Sequence, residues 1–303
     1  MIHRVAVVGA GALGLLYGDL IARVLGPENV TYVMDPARLL RHQNDVYTVN
    51  GEIRHLNMAE EARADLIILA VKHPSFDEAL TVLDRCVTPG TILLSVMNGI
   101  ISEPILADRY PDAYVVPCIA QGMDAMRFGT ALTCTQAGLL LVGVTTPALK
   151  PALRDLTALL IRTEIPYRLE PDFLRRMWGK FMLNVGVNQT CMVYDVPYGD
   201  VVVPGKPRDT MLAAMREVMA LADAQGITLT EQDLQDYLGI LDRIDPEAMP
   251  SMRQDALQQH PSEVEIFAGT VLELGQSLGI ATPVNRFLYD RIREIEAAYN
   301  DPA

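Results

Sequence analysis

Lys180, Asn184 and Asn188 recur at four-residue intervals within residues 173–194, a stretch otherwise rich in large apolar side chains. Four residues is slightly more than one helical turn, so on a helix the three polar groups line one stripe. Phe173, Leu174, Met177, Trp178, Phe181, Met182, Leu183, Val185 and Val187 take up nearly all of the remaining circumference, which predicts a largely buried helix. Asn is a poor helix former. A solvated face usually carries Glu, Lys and Arg, and here the arginines, Arg175 and Arg176, stand before the stripe. The pattern therefore reads as the lining of a cleft rather than as a solvated face. A lysine so placed can give a proton to a carbonyl oxygen and stabilise the alkoxide that develops there.

A second group of residues can hold an anion. The apolar run 5–8 ends in Gly9-Ala10-Gly11-Ala12-Leu13-Gly14, and a helical pattern over 15–25 follows at once. Strand, glycine turn and helix in that order make a dinucleotide-binding fingerprint. Gly9 permits the tight turn, Gly11 lets the backbone approach a diphosphate, and Gly14 lets helix and strand pack closely. The diphosphate rests on the free N–H groups at the helix start, around Ala12 and Leu13. Residues 30–34 read as the second strand, with Asp35 at its end, where an acid can accept hydrogen bonds from the adenosine ribose. The competing reading is a ligand-free turn, with Asp35 capping the next helix. The conjunction of features favours the cofactor.

These residues need elements to hold them. Asn50-Gly51 between runs 46–49 and 52–55 signals a hairpin. Residues 65–71 and 91–96 read as buried strands, 76–86 as a helix capped by Ser75, and 113–119 as a further strand. Runs 130–135 and 139–144 read as antiparallel additions. A helix starts at Pro147, and 165–169 closes the sheet. This predicts a Rossmann-type, doubly wound α/β domain over residues 1–169. Beyond Glu170-Pro171 helical periods dominate: 173–194, 209–225, 231–241, 264–278 and 283–299. Gly226 and Gly279 read as helix stops and Thr282 as an N-cap before Pro283. Residues 197–207 form a connector with no assigned shape. Residues 170–303 should thus be an all-helical substrate and catalytic domain.

The chain has 303 residues, of which half are apolar, and a net charge of −13. That length suffices for two domains. The acidic balance argues against nucleic acid or an anionic membrane as partner, and no window has the ~20 apolar residues of a membrane span. His3-Arg4 and the apolar run behind them resemble a signal peptide, but the glycine spacing fits a folded domain better. Cys86, Cys118, Cys134 and Cys191 are scattered and read as reduced thiols of a cytoplasmic protein. The five histidines lack metal-ligand spacing, so no metal is expected.

Several separated segments resemble the ketopantoate reductase (2-dehydropantoate 2-reductase) family, nearly end to end. They are the glycine motif at 9–14, Ala70-Val71-Lys72, Asn98-Gly99, and Trp178-Gly179-Lys180 with Asn184 and Asn188. Residues 250–255, Ser262-Glu263-Val264-Glu265 and 279–283 match as well. The resemblance implies reduction of a 2-keto acid, most of all ketopantoate, with NAD(P)H. It implies Lys180 as catalytic lysine and Asn98 as the asparagine beside nicotinamide and substrate. Asn184 and Asn188 match asparagines of the substrate cleft, Ser251 a contact to the substrate carboxylate, and Glu263 the holder of its hydroxyl. Each has a structural alternative: Asn98 can shape a turn, Ser251 can cap a helix, and Glu263 can be a first-turn acid. The chain departs from the family at Asp35, where users of NADP(H) carry arginine. Charge there favours NAD(H), whereas Lys72, with Arg38 and Arg41 nearby, fits NADP(H). A second departure is Ile100-Ile101, where a further glycine is common. Rival readings are a reductase of another 2-oxo acid, an opine-type dehydrogenase, and a dinucleotide sensor without turnover. A homodimer is compatible with apolar faces on the helical half.

Overall fold

Strand β1 (Val5–Val8) is buried on both faces, with none of its residues more than 3% exposed. That is why it reads as a continuous apolar run and not an alternating one. The computed structural model describes residues 1–300. Helix α1 (Ala12–Leu25), β2 (Val30–Val33) and α2 (Pro36–His42) follow β1. The hairpin β3 (Tyr47–Val49) and β4 (Glu52–Arg54) leads to β5 (Asn57–Ala59) and β6 (Leu66–Leu69). Helix α3 (Phe76–Cys86), β7 (Ile92–Ser95), α4 (Ser102–Arg109) and β8 (Tyr114–Val115) complete a six-stranded sheet of order β5-β2-β1-β6-β7-β8. All its neighbours are parallel. The chain runs outward from β1 to β5, returns beside β1 at β6, and runs outward the other way. The reversal between β1 and β6 is a topological switch point, where ligand crevices open beyond the carboxyl ends of the strands. Val5 and Val7 pack in one core with Leu15 and Tyr17 of α1; Ala6 and Val8 pack in another with Phe76 and Leu83 of α3.

The first unit, Met1–Phe173, holds three sheets, not the single extended one expected. After β8 come β9 (Cys118–Gln121), β10 (Met126–Phe128), β11 (Ala131–Thr133), β12 (Leu139–Val142), α5 (Lys150–Arg162) and β13 (Tyr167–Leu169). Strands β10-β11-β3-β4 form one small sheet and β13-β12-β9 another. The run 113–119 was expected to be one strand. Pro117 divides it, since a residue without an N–H cannot continue a ladder. β8 stays with the parallel sheet, while β9 pairs with β12. Strand β11 is parallel to β3 and β13 parallel to β12. The Asn50-Gly51 turn is as expected, with φ of 50° and 81°, the left-handed pair of a type I′ hairpin. Ser75 makes no side-chain cap to α3; it ends a short 3₁₀ turn instead.

The second unit, from Leu174 onward, is helical: α6 (Phe173–Tyr194), α7 (Tyr198–Val202), α8 (Lys206–Ala224), α9 (Glu231–Leu241), α10 (Ser251–Leu257), α11 (Ala268–Leu278) and α12 (Pro283–Ala297). Helix α7 lies in the connector left without a shape. The expected helix over 264–278 is broken: a 3₁₀ turn, Val264–Ile266, is followed by Phe267 at φ −104°, ψ −91°, before α11 begins. The break is held by α6, where Gln189 Oε1 accepts the Ala268 N–H at 3.1 Å.

Thr282 also fails as a side-chain cap. Glu217 of α8 takes its place, accepting the N–H groups of Val284 at 2.7 Å and Asn285 at 2.9 Å and the Asn285 side-chain amide at 2.7 Å. Asn285 is fully buried and also accepts from Gln189 Nε2 at 3.3 Å. One polar network therefore ties α6, α8, α11 and α12 together. Hydrogen bonds to a charged group are worth roughly 1.5–3 kcal/mol, and an orphaned buried partner adds to the loss. Glu217→Ala is expected to lower stability by about 2–3 kcal/mol in chemical denaturation. A change below about 0.5 kcal/mol, the level of an ordinary surface substitution, would show that the network does not hold these helices.

Candidate active site

In the first unit, Gly9 follows β1, Asp35 lies just beyond β2, Lys72 just beyond β6, and Asn98 just beyond β7. Because β2, β1, β6 and β7 are adjacent and parallel, all four lie in that order along one carboxyl edge, about 4.8 Å of sheet width per step. The glycines separate by their local demands. Gly9 has φ +105°, and a Cβ there would stand 2.5 Å from the Ala70 carbonyl oxygen. A Cβ on Gly14 would lie 1.8 Å from the Gly9 carbonyl oxygen. On Gly11 it would meet only Ala70 O at 3.7 Å, an ordinary contact. The protein itself thus requires glycine at 9 and 14 but leaves room at 11, as a backbone cradle for a ligand would. Gly11 is the N-cap of α1 without a side-chain cap, and the first turn carries no acid. The N–H groups that no preceding turn can satisfy, those of Ala12, Leu13 and Gly14, are of the kind that can hold an anion. The residues present fit a dinucleotide diphosphate.

Asp35 is the N-cap of α2, accepting from Arg38 N at 2.9 Å, with Arg38 Nε 3.4 Å away. Desolvation pulls its pKa upward, but the Arg38 and Ala37 amides and the Arg38 charge outweigh this and hold the carboxyl below its ordinary value. Arg38 also pairs with Glu78, so two acids share its charge. Lys72 opens the 3₁₀ turn His73–Ser75. Asn98 is half-buried, before Gly99 at φ +91°.

In the second unit, α6 has no exposed residue from Arg176 to Tyr194. Lys180, Leu183 and Asn184 are half-buried along one line, and Asn188 is 8% exposed. The helix gives this stripe a fixed frame. Gly186 lets α8 approach, since a Cβ there would meet Met215 Cγ at 2.5 Å; Gly179 does the same for Tyr237 of α9, whose Oη would be 2.3 Å away. Ser251 is an exposed first residue of α10, which is tied to the end of α6 by Arg253 Nε–Asp195 Oδ1 at 3.0 Å. Glu263, 8% exposed, precedes the 3₁₀ turn that Gln189 helps to anchor on α6. Arg176, one turn before Lys180, shares the stripe, and so does Leu183; spacing from Lys180 could have found both.

The family profile described as "Ketopantoate reductase PanE/ApbA" matches residues 5–127, and its "C terminal" counterpart matches residues 172–296. The chain belongs to the ketopantoate reductase family. It is an oxidoreductase, with a Rossmann-type domain followed by a helical region. A 2-dehydropantoate 2-reductase of Halobacterium salinarum is 26% identical over 300 residues, covering 96% of this chain and 98% of that one. One from Streptococcus pyogenes is 22% identical, covering 98% and 99%. Among solved structures, the 2-dehydropantoate 2-reductase of Geobacter metallireducens is 25% identical with TM-score 0.80, covering 96% and 99%. D-mandelate dehydrogenase in complex with NADH shares the fold at 20% identity and TM-score 0.84, covering 98% and 100%.

Among the described residues no group of three or more His, Cys, Asp or Glu could hold a metal ion. None of the four cysteines is in a disulfide, and no described helix is long and apolar enough to cross a membrane.

Proposed function

We propose that this ketopantoate reductase-family protein reduces a 2-keto acid to a 2-hydroxy acid with NAD(P)H, ketopantoate being the foremost substrate, in the cytoplasm and as a homodimer. Residues 1–169 would bind cofactor and 170–303 substrate. The observation that carries the reading is Lys180, an ionisable side chain half-buried on the polar stripe of an otherwise buried helix. A bound nicotinamide supplies the hydride. Lys180 gives its proton to the carbonyl oxygen and its charge stabilises the alkoxide. Glu263 accepts a hydrogen bond from the substrate hydroxyl, while Asn184, Asn188 and Ser251 orient the substrate. Asn98 is assigned to both nicotinamide and substrate; Gly9, Gly11, Ala12, Leu13 and Gly14 hold the diphosphate. The relatives named 2-dehydropantoate 2-reductase support the substrate class. A ketopantoate reductase of Staphylococcus aureus described as dimeric supports the assembly. The test is oxidation of NADH and NADPH against a panel of 2-keto acids. Ketopantoate should give the highest kcat/KM; a higher value for another 2-keto acid would favour the second reading, for which the Ile100-Ile101 departure speaks. No turnover with any would leave a dinucleotide sensor.

Glu263→Gln is expected to reduce kcat/KM for ketopantoate by about 10-fold or more, because a charge-assisted hydrogen bond is worth ~1.5–3 kcal/mol. A 2-keto acid without the hydroxyl should lose less. Equal losses on both would show that Glu263 does not read the hydroxyl.

Asp35 favours NADH. A 2′-phosphate beside a carboxylate ~4 Å away meets a repulsion on the order of 4 kcal/mol at an effective dielectric of ~20. Arg38, shared between Asp35 and Glu78, offers little compensation; Lys72 remains as the counter-charge for NADPH. NADH should be used at least as well as NADPH, and Asp35→Arg should move the ratio of kcat/KM values toward NADPH by about tenfold, equivalent to ~1.4 kcal/mol. A strong wild-type preference for NADPH that Asp35→Arg leaves unchanged would place Asp35 away from the ribose.

A further inference from the structure

Helix α6 carries two consecutive arginines with unlike surroundings. Arg175 forks onto Asp233, Nη2 to the two carboxylate oxygens at 2.7 and 2.8 Å. Arg176 has no carboxylate partner among the described residues. Its Nη1 donates to Tyr237 Oη at 3.0 Å, and its guanidinium carbon lies 5.2 Å from the centre of the Tyr237 ring. Tyr237 Oη in turn donates to the Arg176 carbonyl at 3.2 Å. Arg176 Nε is buried with no hydrogen-bond partner, although the residue as a whole is only half-buried. The ring that carries the guanidinium is itself set against Gly179, where any side chain would collide with it.

An orphaned buried donor costs about 1–3 kcal/mol, and more on a charged group. A Met or Leu would fill the same space between α6 and α9 without that cost. What remains is a planar cation, pre-oriented by an aromatic ring, lacking a counter-ion, one helical turn from Lys180 on the same stripe. That is the form of a carboxylate receptor that works through the terminal nitrogens, since Nε is closed off and Nη1 is already oriented by Tyr237. In a 2-keto acid the carboxylate is bonded directly to the carbonyl carbon, so a cation one turn from the proton donor suits both groups at once. Ser251 offers only a neutral hydroxyl to that carboxylate.

We propose that Arg176 binds the carboxylate of the 2-keto acid and so selects acids over uncharged carbonyl compounds. The assignment rests on the keto-acid reductase reading above. The test compares a 2-keto acid with its methyl ester in wild type, Arg176→Gln and Arg176→Lys. It also titrates oxamate and oxamide against the fluorescence of Trp178, the single tryptophan of the chain and two residues along the same helix. In Arg176→Gln, KM for the acid should rise roughly 10–100-fold, the value of one charge-assisted pair. Its kcat should change less, the ester should be unaffected, and Arg176→Lys should be intermediate. Oxamate should quench wild type and fail to quench Arg176→Gln, with oxamide silent in both. If Arg176→Gln does not fold, Tyr237→Phe, which keeps the ring but frees Nη1, should weaken oxamate binding several-fold. Equal losses on acid and ester, or oxamate binding indifferent to both variants, would make Arg176 a packing element. A wild type that binds oxamate through Arg176 yet reduces no 2-keto acid would overturn the reductase reading and leave the carboxylate site standing.

Discussion

Lys180→Ala is expected to lower kcat by roughly 10²–10⁴-fold, the usual worth of a positioned general acid, while NAD(P)H still binds with nearly wild-type affinity. The reason is local. Lys180 is held on α6 between Arg176 and Asn184, with buried Met177, Trp178, Phe181 and Met182 around it. The helix sets where the half-buried Lys180 starts from, and a charge so placed can act on a developing alkoxide. The residues proposed to hold the cofactor are all in the other unit, which is why affinity and turnover should separate. Steady-state kinetics with a cofactor titration reads both. A kcat within a few-fold of wild type would remove Lys180 from the chemistry.

Gly11→Ala and Gly14→Ala should fail in opposite ways. At Gly14 the new methyl would sit 1.8 Å from the Gly9 carbonyl oxygen, a backbone atom that cannot step aside. The expected outcome is destabilisation on the order of 3 kcal/mol, the upper range for overpacking, or failure to fold. At Gly11 the methyl meets protein only at 3.7 Å, so the fold should be kept. It would instead occupy the space where backbone must approach a diphosphate, and cofactor affinity should drop at least ~10-fold, about 1.4 kcal/mol. Thermal unfolding and cofactor titration on the same two variants give the answer. If Gly11→Ala binds cofactor normally, the glycine turn is a packing device and the dinucleotide assignment loses its main support.

Local signals in the sequence were enough for the strand, glycine turn and helix that open the first unit. The apolar run, the glycine spacing and the start of α1 all lie within about 20 residues, and each follows from short-range sterics. The span of α6, Phe173–Tyr194, was likewise legible, because its apolar period and its polar stripe are both carried on one helix. Features set by distant partners were not. The caps of α11 and α12 come from Gln189 and Glu217, dozens of residues away, so Thr282 looked sufficient and the break at Phe267 was invisible. Strands β5 and β10 are three residues each, too short for a period to show. Pro117 could have signalled the change of sheet between β8 and β9. That Arg176 meets Tyr237 and no carboxylate among the described residues shows only in three dimensions, since its neighbour Arg175 has the same side chain and pairs with Asp233.

The central claim is that hydride passes from a reduced nicotinamide to the carbonyl carbon of a 2-keto acid on this chain. The most direct measurement follows the hydrogen itself: ketopantoate is incubated with the wild-type protein and a reduced cofactor deuterated at the transferable position, and the product is analysed by mass spectrometry. The account predicts pantoate carrying the deuterium at C2, and loss of that product in Lys180→Ala. Unchanged ketopantoate, or pantoate without the label, would contradict it.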